Sequence, residues 1–142
     1  MRDRFARLDL RGEIPKIIDQ TKDDLIRLNQ SQLYLQGIDR TGAQLMPYRN
    51  ENYAFFKSRM NPNLGGGTDL FLTGAFYRGW QIVADGQVIR FSSTDEKSPM
   101  LTEKYGADIF GLTDESKGEY VRGEFFRAIR NYIERTTGVK MK

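Results

Sequence analysis

The sequence predicts an α+β fold in which an N-terminal and a C-terminal helix pack on a small, mainly antiparallel β-sheet with long loops. Apolar residues recur at helical spacing over residues 13–30 and again from Val121 to Ile133. Between them, two short apolar runs flank Asp85-Gly86, and such a pair is a strong hairpin signal. At 142 residues the chain can bury one core, so we expect a single domain over residues 1–142.

The composition excludes several classes of function. The chain has no Cys and no His, which removes disulfides, thiolate nucleophiles, imidazole metal ligands and Ser-His-Asp triads. No carboxylate pair lies in an apolar sequence context suited to acid–base work. We therefore predict a protein that is not an enzyme, with no catalytic residue, no cofactor and no metal. No apolar run approaches the roughly 18–20 residues of a membrane span, and the basic N-terminus lacks the apolar stretch of a secretory signal, so we expect a soluble, non-secreted protein without a membrane partner.

The charge of the chain is mildly basic, at +3, which falls short of a dedicated nucleic-acid binder. Arginines and lysines are nevertheless concentrated at both ends of the chain. If the two ends meet, they form a basic patch, whereas the interpretation that we favour is a pair of solvated, flexible termini over residues 1–12 and 137–142.

The first helix is predicted over residues 13–30, opened by Pro15 in a turn where a missing N–H costs nothing. A second, short helix over residues 52–59 would expose Lys57 and Arg59. Aromatic residues interleave with basic ones around it, which is typical of base-stacking platforms. The alternative, which we prefer, is that these aromatic side chains are half-buried beneath the loop that follows. The aromatic residues are Tyr48, Tyr53, Phe55 and Phe56.

The stretch 61–68 is predicted to be a flexible, Gly-rich loop because Gly65, Gly66 and Gly67 follow one another. It lacks the Gly-x-x-x-x-Gly-Lys-(Ser/Thr) spacing of a phosphate-binding loop, so a plain loop is the better interpretation.

The middle of the chain predicts a short helix over residues 73–79 and then the hairpin. Trp80, Ile82 and Phe91 would point to one side of the hairpin, with Trp80 as an anchor of the core. A polar loop over residues 92–99 follows, then a short helix over residues 100–105 that Gly106 ends.

The last helix is predicted to begin at a cap provided by Thr113 or Asp114 and to end near Gly138. Its inner stripe would consist of five apolar and aromatic residues: Val121, Phe125, Ile129, Tyr132 and Ile133.

Two similar acidic stretches, residues 94–98 and 113–117, could bind Mg²⁺ or Ca²⁺ through carboxylate oxygens. On that hypothesis Asp95 and Asp114 would serve a metal-dependent hydrolase. Each stretch contains its own lysine and precedes an expected helix, so helix capping is the account that we favour.

Three segments carry a resemblance to a known family. The chain contains Leu-Thr-Gly-Ala-Phe-Tyr-Arg-Gly-Trp ending at Trp80, then the hairpin, and then Tyr-Gly-Ala-Asp-Ile-Phe-Gly-Leu ending at Leu112. This series resembles the central part of the virion-morphogenesis and tail-completion proteins of tailed bacteriophages. The resemblance implies a neck component that joins the head connector to the tail, is located in the virion after assembly in the host cytoplasm, and acts as an oligomeric ring.

The partners implied are copies of the chain itself and the proteins on the connector or portal side and on the tail-tube side, with nucleic acid contacted at most indirectly. The alternative is a small nucleic-acid-binding accessory protein that uses the basic termini. The assembly surfaces expected from the loops and from the segment 105–112 contain eight residues: Asn63, Leu64, Asp69, Asp95, Glu96, Lys97, Tyr105 and Phe110.

Overall fold

The computed structural model describes residues 8–71, 73–85 and 88–141 and has the α+β fold predicted from the sequence, with helices at both ends and a two-stranded antiparallel sheet. None of the described helices is long and apolar enough to cross a membrane. The α-helices and strands are α1 (Leu10–Gln20), α2 (Lys22–Ser31), α3 (Glu51–Met60), α4 (Ala75–Arg78), β1 (Trp80–Asp85), β2 (Val88–Ser93), α5 (Ser98–Tyr105), α6 (Asp114–Tyr120) and α7 (Phe126–Thr137). Two π-helical turns, Gln32–Gln36 and Val121–Phe125, and two 3₁₀ turns, Pro62–Leu64 and Ala107–Ile109, complete them.

The N-terminal helical region is longer than predicted and is divided at Thr21. It begins at Leu10 because the Asp9 carboxylate accepts a hydrogen bond from the Gly12 N–H at 3.1 Å, which caps the first turn. Residues 10–12, assigned by prediction to a flexible terminus, are therefore helical. The Thr21 hydroxyl donates to the Ile17 carbonyl at 2.8 Å at the division between α1 and α2.

The hairpin has the predicted facing of its side chains. β1 and β2 pair from Trp80↔Ser93 to Asp85↔Val88. Residues 86 and 87, between the two strands, lie outside the described part of the chain. Trp80 is buried, and Ile82 lies opposite Phe91 on the same side, as expected for alternating strand residues.

The core lies against one face of this hairpin, the face of Trp80, Ile82 and Phe91, in two apolar clusters. In the first cluster, α1 and α2 pack with the hairpin and the end of α6. In the second, the π-helical turn Gln32–Gln36 packs with α4, β1 and the segment after α5. The buried members of the first are Ile18, Leu25, Leu28, Leu112 and Tyr120, and those of the second are Leu33, Leu45, Phe76, Trp80 and Ile109.

The C-terminal helix begins and ends where the sequence predicted. The Thr113 hydroxyl accepts a hydrogen bond from the Ser116 N–H at 3.2 Å, and Gly138 ends the helix with a φ of 72°. Residue 137, assigned by prediction to a flexible terminus, is thus the last helical residue. The prediction for Val121 is wrong: its side chain is 51% exposed, and Tyr120, at 6%, lies inside instead. The π-helical turn that begins at Val121 widens the spacing by one residue, which puts Tyr120 rather than Val121 on the face of Phe125.

The two ends of the described chain meet. The Asp9 N–H donates to the Tyr132 hydroxyl at 2.8 Å, and Arg135 contacts Glu13 at 3.4 Å. The two ends therefore meet, as a basic patch would require, but Arg135 is paired there with the carboxylate of Glu13. The basic residues before residue 8 lie outside the described residues.

Two buried amide side chains hold the segment between α5 and α6 against the N-terminal helices. The Asn29 amide donates to the Ile109 carbonyl at 3.0 Å and accepts from the Gly111 N–H at 2.8 Å. Gln32 likewise donates to the Gly111 carbonyl at 3.0 Å and accepts from the Thr113 N–H at 2.9 Å. The segment is thereby fixed as part of the core.

Candidate assembly surface

Helix α3 has an anchored side and an open side. Lys57 faces inward and is almost completely buried, while Phe55, Phe56 and Met60 are 63%, 49% and 43% exposed. The prediction that Lys57 is exposed is wrong, and so is the prediction that Phe55 and Phe56 are half-buried beneath the Gly-rich loop. Tyr48 and Tyr53 are half-buried, as predicted. We call the exposed side, formed by Phe55, Phe56 and Met60, the aromatic face.

The anchored side is held by a buried ion pair. The Lys57 ammonium lies 2.8 Å from a carboxylate oxygen of Asp69, and the two side chains are 1% and 0% exposed. Lys57 also donates a hydrogen bond to the Phe71 carbonyl. A buried charge of either sign is costly without its partner, so this pair fixes the position of α3 relative to the segment 68–71.

Asp69 is fully satisfied inside the protein and is not a surface residue, contrary to prediction. Besides Lys57, its carboxylate accepts hydrogen bonds from the Asn61 amide at 3.0 Å, the Phe71 N–H at 2.9 Å and the Tyr48 hydroxyl at 3.3 Å. Burial, together with the charge of the Asp69 carboxylate, raises the pKa of Tyr48 and of Tyr77 above the ordinary tyrosine value.

The predicted Gly-rich loop, residues 61–68, packs closely against α3. At Gly66, where φ is 95°, an added Cβ would lie 2.7 Å from the Ala54 carbonyl oxygen of α3. The Thr68 side chain is buried and its hydroxyl donates to the Met46 carbonyl at 2.6 Å. Of the two loop residues predicted for assembly, Asn63 is exposed and Leu64 is half-buried against Gly37.

The aromatic face carries one basic side chain. The guanidinium of Arg59 lies 5.2 Å from the centre of the Phe55 ring. On the other side, the rings of Tyr53 and Phe56 are 6.1 Å apart, and Tyr53 packs edge-on against Tyr48 at 4.9 Å. This row of rings links the aromatic face to a neighbouring cavity.

That cavity, of about 390 Å³, lies between the start of α3, the segment 70–76 and α5. It brings together three of the residues predicted for assembly, namely Asp95, Lys97 and Tyr105. Glu96 is exposed but does not line it, and Phe110 packs 4.9 Å from Trp80 in the core. The full lining is Tyr48, Arg49, Asn50, Tyr53, Leu70, Phe71, Thr73, Gly74, Phe76, Asp95, Lys97, Met100, Leu101, Lys104 and Tyr105.

The two acidic stretches differ in role. Thr113 caps α6, as predicted, but no side chain of residues 94–97 caps α5, where the Asp95 carbonyl accepts from the Ser98 N–H at 3.0 Å. Within the described residues, no group of three or more carboxylates is placed to hold a metal ion.

Comparison of the chain with protein-family models, with curated proteins and with solved structures finds no match.

Proposed function

We propose that this chain is a structural virion protein of a tailed phage, a neck or tail-completion component that joins the head connector to the tail and acts as an oligomeric ring. The resemblance of the segments ending at Trp80 and Leu112 supports the family. The aromatic face supports the assembly role, because it is apolar and exposed and because the buried Lys57–Asp69 pair holds its helix in place.

The aromatic face is the single observation that carries the proposal. Phe55 and Phe56 project from consecutive positions of α3, and Met60 extends the same surface by one turn. Aromatic side chains and methionine are enriched in the cores of protein interfaces. Since the two phenylalanine side chains are 63% and 49% exposed, burying the remainder would contribute roughly 1–2 kcal/mol each, so the aromatic face would form the apolar centre of a larger contact.

The test is sedimentation velocity on the wild type and on Phe55→Ser/Phe56→Ser. These side chains make few internal contacts, so the variant should fold normally by circular dichroism yet sediment as a monomer. The matched control is Val83→Ser/Val88→Ser, which removes two exposed apolar side chains from the hairpin. Equal oligomerisation by wild type and the phenylalanine variant would refute the role of the aromatic face.

One contact favours the alternative of a nucleic-acid-binding accessory protein. An arginine stacked on an exposed phenylalanine, as in Arg59 and Phe55, is a component of single-strand binding surfaces. That function predicts binding of a labelled single-stranded oligonucleotide that weakens steeply with salt and is lost in Arg59→Ala. The virion role predicts no such binding, and predicts instead retention of the protein by the connector or tail-tube proteins.

A further inference from the structure

The cavity beside the aromatic face has an excess of positive charge that none of the described residues pairs. Its lining contains Arg49, Lys97 and Lys104, against the single carboxylate of Asp95. Within the described residues, neither Arg49 nor Lys97 forms an ion pair, and Lys104 only lies over the Tyr105 ring at 5.3 Å. An occupant of this cavity should therefore carry negative charge.

The floor of the same cavity is apolar. Phe71 lies just before α4, Phe76 within it, and Leu101 in α5. Met100, also in α5, is 59% exposed and lies at the edge of the cavity. A volume of about 390 Å³ is within the range of sites that enclose small ligands or a few protein side chains. The chemistry of the cavity thus suits a segment that presents carboxylates next to an apolar side chain.

The C-terminal helix of this chain presents such a segment. Asp114 and Glu115 begin α6 with exposed carboxylates, and Asp114 makes only a 4.0 Å contact with the exposed Lys117. Val121 lies seven residues after Asp114 and so on the same side of the helix. Phe126 follows five residues later across the π-helical turn, which again returns to that side. Both Val121 and Phe126 are about half exposed. Glu115 lies about 100° round the helix from this side, next to Asp114. We call the four residues Asp114, Glu115, Val121 and Phe126 the acidic stripe.

We propose that the acidic stripe of one copy docks in the basic cavity of the next copy. The inference rests on the proposed ring, and it names the two surfaces of one subunit that meet in it. The cavity and the stripe are built by different elements, so their contact is heterologous, and a heterologous contact generates a closed ring when the rotation closes. The aromatic face adjoins the cavity through Tyr53 and would be covered in the same contact.

The test uses two charge-reversal variants of the full chain. Arg49→Glu/Lys97→Glu changes the cavity, and Asp114→Lys/Glu115→Lys changes the stripe. We expect each variant alone to lose self-association by at least about tenfold, because like charges then face each other. An equimolar mixture should associate again, because the intact stripe meets the intact cavity at one contact and the two reversed surfaces, once more of opposite charge, meet at the next.

The control variants reverse exposed charges elsewhere, on α1 and α2. They are Arg11→Glu/Lys16→Glu for the cations and Asp19→Lys/Asp23→Lys for the acids, all at exposed positions. Light scattering on a sizing column should give these controls the mass of the wild type.

Three results would overturn the inference, and they bear differently on the proposed function. If the wild type forms rings and both reversal variants do so as well, the contact lies elsewhere although the ring stands. If the mixture associates no better than either variant alone, the two surfaces do not meet. If the wild type is monomeric at every concentration but binds a tail-tube or connector protein through Arg49 and Lys97, the occupant is an acidic segment of that protein, and the virion role survives without the self-contact.

Discussion

Replacing Lys57 by methionine would test whether the buried ion pair holds α3 in place. Methionine keeps most of the length and apolar volume of the side chain but removes the ammonium that lies 2.8 Å from Asp69. Asp69 would then be a fully buried carboxylate without a cation. Removal of one partner of such a pair costs about 3–5 kcal/mol. Asp69 keeps its hydrogen bonds from Asn61, Tyr48 and the Phe71 N–H, which reduces the cost, so we expect the free energy of unfolding to fall by about 3 kcal/mol.

The assay is urea denaturation at pH 7, followed by circular dichroism and by the fluorescence of Trp80. A typical domain is stable by about 5–15 kcal/mol, so the expected loss is easily resolved. The control is Arg127→Met, which breaks an exposed pair with Glu124 and should cost less than about 1 kcal/mol.

Adding Asp69→Asn to Lys57→Met removes the orphaned charge and should recover part of the stability lost. A loss for Lys57→Met as small as that for Arg127→Met would refute the reasoning. So would a double variant whose loss equals the sum of the two single losses, because the two residues would then act independently.

Three further predictions concern single residues. Asn29→Ala leaves the Ile109 carbonyl and the Gly111 N–H buried without partners, so it should lose roughly 2–4 kcal/mol in urea denaturation, against almost nothing for Asn131→Ala at an exposed position of α7. Gly66→Ala should cost about 1–3 kcal/mol by thermal denaturation because its Cβ meets α3, and it should cost more than Gly65→Ala, whose Cβ meets nothing within 4 Å; equal costs would contradict the close contact. Above pH about 10 the unfolded chain releases tyrosine protons that the folded chain retains, because folding raises the pKa of Tyr77. The free energy of unfolding should therefore fall as the pH rises above about 10, and Tyr77→Phe should make that fall shallower.

Much of the fold could be predicted because its signals are local. The side chains of the hairpin face the predicted sides because strand side chains alternate. The last helix has its caps at Thr113 and Gly138 because caps are encoded by neighbouring residues. The inward position of Tyr120 could not be predicted in the same way. A π-helical turn changes the period of the helix, and the predicted stripe assumed a constant one.

The candidate site was predicted only in part, because its main contacts join distant residues. Lys57 and Asp69 are twelve positions apart and meet through folding of the loop between them, so no helical or strand period relates them. The sequence interpretation also placed Phe55 and Phe56 inside and Lys57 outside, following the usual preference of each residue type. That preference is statistical, and folded proteins keep much apolar surface exposed. Apolar residues surround Lys57 on most sides of α3, so the helix has no amphipathic pattern from which its buried side could be predicted.

The most direct test of the account is light scattering on a sizing column over a concentration series of the wild type, at low and at high salt. We expect a discrete oligomer that forms with increasing concentration. High salt should weaken it, because the contact between the acidic stripe and the cavity is screened by ions, but should not abolish it, because burial of the aromatic face is not. A monomer at every concentration and salt, with the aromatic face left uncovered, would contradict assembly of this chain into a ring.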